Sequence, residues 1–490
     1  MYVFENSTAT GTDLCRIGNS YGHAITIDVL PDNVLLDIFD SCRKDHDPDR
    51  SYTPVWRWHG LVHVCRRWRQ IVFGSPRRLD LQLLCTNGTP LRENLDLWPP
   101  IPIAIQYLYY KTFTPSDKDS LFAALEHPGR IRHVDLSLTG LQLREVATVM
   151  QVPFLALTHL IIRWKDENPP VLPSGFLGGS APCLQYMHLE GILFPALPTL
   201  LSSTSDLVDL YLDDIPQDGY ISPEAMVACL AALPRLKFFC IGSQSATSHV
   251  DRIRPPPVTR TLLPALTSFG FRGASEYLEE LVSRIDSPQL NQIFIRYSYQ
   301  LFDFQVAQLF KFLDRSEDPE ITLIRHADVN FSQHWVNFEM YPSPESRPDS
   351  GRVSALIYGQ WIERQVSRIA QVFSQPSAML SRVVHLKLSL YLANADRHDD
   401  EWLHLLRQFS AVRTLHVSGE DAGHVALVLE DVTGEMVAEV LPVVDLICLD
   451  GQPVSSIEKF LAARQLSGHP VTIVDTEVEF YERVESHVSE

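Results

Sequence analysis

Residues 131–137 read IRHVDLS, 157–163 LTHLIIR, 184–190 LQYMHLE and 207–213 LVDLYLD. Each block opens on an apolar residue, skips two, and then alternates apolar and polar. The same pattern returns as LKFFCIG from 236, LTSFGFR from 266 and LNQIFIR from 290. Alternation over so few residues predicts a short strand with one buried face. Further copies are Val353/Leu356/Tyr358, Val383/Leu386/Leu388, Val412/Leu415/Val417 and Val444/Ile447/Leu449. Ile321/Ile324 is a weak copy with His326 in its sixth place, and Ile105/Leu108/Tyr110 stands where an opening copy would.

Helical spacing separates the strands. Ser222-Pro223 is a cap followed by proline at the first helical position, with Met226, Val227, Leu230 and Leu233 behind it. Ser275 precedes Leu278, Leu281, Val282 and Ile285, and Val306, Leu309, Phe310 and Leu313 repeat the spacing. Residues 361–373, 402–409 and 455–466 do so again, the last opening on Ser455 and Glu458 as a capping box. One strand and one helix every 20–30 residues or so is the leucine-rich-repeat signature, here irregular and without the usual Asn after the strand. No such unit closes a core alone, so the copies must stack. The expected fold is α/β: a curved parallel sheet with helices on its convex side. Pro169-Pro170, Pro255 to Pro257 and Pro342 to Pro348 read as loops between copies.

Composition narrows the function. The chain has 490 residues, 45% of them hydrophobic and 21% charged, which excludes global disorder. A formal net charge of −19 repels phosphate backbones, so no nucleic-acid role is expected. Arg66, Arg67, Arg69, Arg77 and Arg78 form the most basic stretch, with Asp28, Asp32, Asp37 and Asp40 close by. The eight cysteines make no CxxC pair, which predicts free thiols in a reducing compartment and no metal or other cofactor. The N-terminus carries neither the basic nor the apolar region of a signal peptide, and no apolar run would span a bilayer. An intracellular soluble chain, cytoplasmic and/or nuclear and without a membrane partner, is the expectation.

Ahead of the repeats, residues 27–79 have another texture. Leu30-Pro31 begins a helix whose Val34, Leu35, Ile38 and Phe39 form one wide stripe. Residues 44–54 are charged and carry two prolines, hence a loop. A second helix is predicted from about Val55 to Phe73, with Leu61, Val64, Cys65, Trp68, Ile71 and Val72 on one face. The resulting division is a tail over 1–24, a helical module over 25–79, repeats over 80–480 and a tail over 481–490.

LPDNVLLDIF and LVHVCRRWRQI resemble the two blocks of the F-box motif, in the right order and about the right distance apart, over roughly a tenth of the chain. The loop between them is longer than in a minimal F-box. The repeats resemble the irregular leucine-rich repeats that accompany F-boxes in mushroom-forming fungi. The resemblance implies docking on a Skp-type adaptor and, through it, on a cullin–RING ubiquitin ligase of the SCF type, with the repeats capturing a protein substrate. The adaptor contacts would then be Leu30, Pro31, Val34, Leu35, Ile38, Phe39, Val64 and Cys65, while Trp68 fills the module's own core. Two alternatives stand beside this. The same side chains could pack only against the first repeats, or the chain could be a free protein-binding scaffold outside any ligase.

Strand positions three, five and seven should face the concave side. That row holds Arg163, Tyr186, His188, Tyr211, Arg272 and Arg296, residue types enriched at binding hot spots, and it is the expected substrate face. An unoccupied solvent face is the alternative. For catalysis, Asp45-His46-Asp47 and Asp396, His398, Asp399, Asp400 are the densest clusters, both in charged loops. There is no GxSxG, HExxH, P-loop or GxGxxG. A non-enzyme without catalytic residues is expected.

Overall fold

The computed structural model describes residues 27–44, 57–76, 78–108, 112–164, 168–243, 259–298, 306–332, 334–344, 351–358, 379–391, 399–420, 422–450 and 454–474, with positions 366, 369, 370 and 373. The two expected tails, the loop at 44–54 beyond Lys44, the Asp45-His46-Asp47 and Asp396/His398 positions, and the proline run at 255–257 lie outside these residues. The chain divides into two compact units. One comprises residues 1–106 with 111–132, the other 107–110 with 133–490.

The first unit opens with helix Asp32–Lys44. The Pro31 carbonyl accepts from the amides of Val34 and Leu35 at 3.0 and 3.1 Å, so Leu30-Pro31 marks the helix start as its sequence predicts. The expected second helix is two helices, Arg57–Val64 and Arg66–Gly74. They break at Cys65, whose backbone is extended (φ −155°) and whose Sγ accepts from the Trp68 amide at 3.4 Å. The thiol thus does the work of an N-cap. Arg67 bonds Asp32 at 2.7 Å and ties the third helix to the start of the first. Behind these helices, Phe39 meets Trp68 at 4.7 Å between ring centroids, and Trp58, Phe73 and Trp98 pack mutually at 5.5–5.9 Å. Strands β1 (Leu83–Thr86) and β2 (Ile103–Tyr107) pair in parallel.

In the second unit the strands are β3 (Ile131–Ser137, of which it holds His133 onward), β4 (His159–Arg163), β5 (Tyr186–Glu190), β6 (Asp209–Ile215), β7 (Phe238–Ser243), β8 (Thr261–Leu262), β9 (Ser268–Gly273), β10 (Ile285–Asp286) and β11 (Gln292–Tyr297). They continue with β12 (His326–Ser332), β13 (Trp335–Tyr341), β14 (Arg352–Tyr358), β15 (His385–Tyr391), β16 (Thr414–Ser418), β17 (Leu446–Leu449) and β18 (Thr472–Val474). Strands β8 and β10 form a separate pair. The others follow the order β3-β4-β5-β6-β7-β9-β11-β14-β13-β12-β15-β16-β17-β18. From β3 to β11, and again from β12 through β15 to β18, each neighbour is parallel.

The apolar repeat positions account for this. Leu157, Leu160 and Ile162, and their counterparts at 184/187/189, 207/210/212, 236/239/241, 266/269/271 and 290/293/295, are buried in every copy. So are 383/386/388, 412/415/417 and 444/447/449. Strand side chains meet the helices: Phe269, a repeat position, packs on Phe312 of helix Ala307–Asp314, and Phe331 of β12 on Trp402 of helix Asp399–Arg407. Ser222 caps helix Pro223–Leu230 through the Ala225 amide, as expected.

Three expectations are corrected. The array is not uniformly parallel, because β13 runs antiparallel between β12 and β14. Only two residues separate β12 from β13, and a two-residue connection can join only antiparallel strands. The copy at 353 is shifted: Val353 and Ile357 are buried while Tyr358 is exposed. Lastly, helix Glu458–Leu466 has Ile457 at its cap without a side-chain bond, and the Lys459 amide donates instead to Glu430 at 2.9 Å. A carboxylate from the preceding repeat replaces the local box.

Candidate recognition face

Strand register brings the predicted row together. His133, His159, Tyr186, Asp209, Phe238, Ser268 and Gln292 are consecutive partners across β3 to β11. So are Asp135, Ile161, His188, Tyr211, Cys240, Gly270 and Phe294. Side chains in register on parallel strands stand close enough to stack, and the rings do. His133, His159 and Tyr186 follow one another at 5.5 and 5.8 Å, and Tyr186 meets Tyr211 at 5.3 Å. Tyr211 also touches His188 at 5.3 Å and lies flat on Phe238 at 4.4 Å. Gly270 makes room here: a Cβ on it would stand 2.8 Å from Cys240 Sγ.

The arginines and His188 of the row are held. Arg163 bonds the buried Asp135 at 2.9 Å and stands 3.9 Å from Glu190. His188 Nε2 lies 3.2 Å from Asp213, and Arg272 bonds Asp214 at 2.6 Å. Arg296 sits over the Tyr358 ring at 5.9 Å. Asp213 and Asp214 owe their placement to an irregularity in β6, where the register with β7 shifts between Leu212 and Ile215. Asp214 takes φ +50°, a left-handed conformation that Asp tolerates better than most residues. The bulge aims one carboxylate at His188 and the next at Arg272.

Burial sets the protonation of this face. It pushes the His133 imidazole down to about 4, with His159 and Arg163 adding to the shift. It raises the Tyr211 phenol, helped by Tyr186. It also raises the Cys240 thiol, helped by Asp213, so this is a protonated thiol and not a reactive thiolate. The arrangement offers flat aromatic area and preoriented polar groups.

Sequence reasoning named Arg163, Tyr186, His188, Tyr211, Arg272 and Arg296, and all six lie on these strands. Tyr186, His188 and Tyr211 meet directly. Arg163, Arg272 and Arg296 each engage a different neighbour. It missed the fixing carboxylates Asp135, Asp213 and Asp214 as partners, and it missed Phe238 as the end of the stack. It also missed a second stack, where His326 lies flat on Tyr341 at 5.4 Å and on His385 at 4.4 Å. Position three of each repeat pointed to Phe238 and His385; Tyr341 needed the hairpin.

In the first unit, the eight residues of the predicted contact set separate. Leu35 and Phe39 are buried. They form the inner edge of the helix, Phe39 against the half-buried Trp68, and their expected outward placement is corrected: each follows a more exposed residue of the stripe, Val34 or Ile38, by about 100° of helix turn. Leu30, Val34 and Cys65 are half-buried, and Pro31 is exposed. Ile38 and Val64 remain 38% and 59% exposed.

No protein-family profile and no curated protein matches the chain. Among solved structures it is similar to an internalin from Listeria monocytogenes, at 10% identity over 73% of this chain and 74% of that one, with a TM-score of 0.26. It is also similar to the Rad7 and Elc1 complex in yeast, at 12% identity over 79% and 88%, with a TM-score of 0.24. TM-scores this low say nothing of what the chain does. The strand register and the buried repeat positions define the class: an α/β repeat protein of leucine-rich-repeat-like build.

Proposed function

We propose that this chain is the non-catalytic substrate receptor of an SCF-type cullin–RING ubiquitin ligase. Residues 27–79 dock on a Skp-type adaptor, and the stacked polar face of the second unit holds a protein substrate inside the cell. The observation that carries the docking half is the row Pro31, Val34 and Ile38. These residues recur at helical spacing and keep contact with water, while Leu35 and Phe39 beneath them are buried. An apolar edge at i, i+3 and i+7 on a helix whose other side is packed suits a partner's groove. Val64 and the half-buried Leu30 and Cys65 extend the set. The substrate half rests on the ring stack and its fixed cations.

The test is size-exclusion chromatography of the full chain with a purified Skp-type adaptor. Co-elution at near-equal stoichiometry is expected for the wild type, with affinity about thirtyfold lower for Ile38→Glu. Separate elution of the folded wild-type chain rejects the ligase role and leaves a protein-binding scaffold.

A further inference from the structure

The last strands hold a polar cluster that the recognition face does not use. His416 of β16 and Cys448 of β17 are register partners, and Asp450 follows just after β17. Both His416 and Cys448 are buried, whereas the Asp450 side chain is 32% exposed. His416 Nε2 lies 3.1 Å from Asp450 Oδ2, and Cys448 Sγ donates to Asp450 Oδ1 at 3.3 Å. A nitrogen, a sulfur and a carboxylate oxygen, one from each residue, all fall within 4.8 Å of one another. Among the described residues no other His, Cys, Asp and Glu group does so.

We propose that His416, Cys448 and Asp450 bind one zinc ion, a site separate from the adaptor and substrate surfaces. Zinc takes nitrogen and oxygen ligands at about 2.0–2.2 Å and sulfur at about 2.3 Å, which puts neighbouring ligand atoms of a tetrahedron about 3.4–3.6 Å apart. The His416 Nε2 to Asp450 Oδ2 separation is a few tenths of an ångström shorter, and one ligand atom from each of the three residues lies within 4.8 Å of the others, so side-chain rotation alone brings the set to zinc-binding distances. A thiolate with an imidazole suits zinc, whereas magnesium and calcium prefer all-oxygen sets.

Charge agrees as well. Thiolate and carboxylate together neutralise a divalent ion, which a buried site requires. The nearest cation in the row is Lys387, register partner of His416, and Asp328 and Glu339 continue that row with negative charge. On uptake the Cys448 thiol releases its proton to solvent. His416 coordinates through Nε2 as a neutral imidazole, as a metal ligand must. The fourth position, on the open side at Asp450, is left to water.

The experiment is a cobalt titration of the chelator-treated full chain, read by absorbance. One equivalent should produce a thiolate-to-cobalt charge-transfer band, and zinc should displace it. Cys448→Ser should abolish the band. Asp450→Asn, isosteric and at a partly exposed position, should weaken cobalt binding about tenfold or more. A wild type without the band, a band that survives in Cys448→Ser, or unchanged affinity in Asp450→Asn overturns the proposal. Should Cys448→Ser fail to fold, the wild-type band and the Asp450→Asn affinity decide it.

Discussion

The helical segment at 27–79 and the polar face of β3 to β11 both meet solvent, with opposite chemistry. The helical segment leaves aliphatic groups in water: Val29, Ile38 and Val64 are all exposed. On the sheet face the rings stack on one another, the cations rest against carboxylates or a ring, and Phe294 is the exposed large apolar residue of the two central rows. Burying the first surface would gain roughly 25 cal/mol per Å² of apolar area with little demand on geometry. Engaging the second demands a match to fixed rings and charges, which favours selectivity over raw affinity. A constant partner fits the one and a discriminated substrate the other.

The largest expected effect separates packing from docking within the helical segment. Phe39→Ala should lower the stability of the first unit by about 3–5 kcal/mol, because a buried ring against Trp68 is lost. Ile38→Glu, one residue away, should change stability by only about 0.5 kcal/mol. Denaturant unfolding of both variants measures the contrast, and equal losses would erase the inner and outer edges drawn here.

On the sheet face the order reverses, since its residues serve each other as well as a ligand. Tyr211→Ala with Arg272→Glu removes the centre of the ring stack and repels Asp214. Substrate retention should fall about tenfold or more, while adaptor binding stays at the wild-type level. Mass spectrometry of proteins captured from extract by the two forms reads the first, and chromatography with the adaptor reads the second. Identical captured sets would remove the substrate role from this face.

The smallest effect is a pH dependence. Burial pushes His133, His326 and His385 down to about 4, against an ordinary value near 6.5. The unfolded chain therefore takes up protons at these rings below about 6.5, and the folded chain only near 4. Stability is retained above that window and lost as pH falls through it, since the unfolded state binds more protons there. Thermal midpoints recorded between pH 7 and 4 should drop, and His385→Asn should flatten the drop by part. A slope unaltered by that variant would place its origin elsewhere, in carboxylates such as Asp117, which backbone amides and Thr114 hold below the usual range.

The hairpin β12–β13 shows where reading by repeat pattern stops. Ala327, Val329 and Phe331, then Val336, Phe338 and Met340, alternate in strict period two, and all six are buried. The alternation stands in the sequence, with four residues between Phe331 and Val336 and two between the strands. A pattern of apolar residues three and five apart does not describe it and falls on Ile321 instead. Ile321 lies in the short helix Pro319–Thr322.

By itself the sequence determined which strand residues are interior in the copies from 157 to 295 and from 383 to 449. Burial follows from apolar spacing, and a skipped pair followed by alternation allows one solution, a strand edge sealed by the next repeat. It also determined the helix starts at Pro31 and Ser222, because proline and serine act on the backbone beside them. Strand direction at β13, the bulge that aims Asp213 and Asp214, and the meeting of His416, Cys448 and Asp450 were decided by tertiary structure alone. Each joins residues through hydrogen-bond register between strands, and register depends on connections and neighbours that no local pattern encodes.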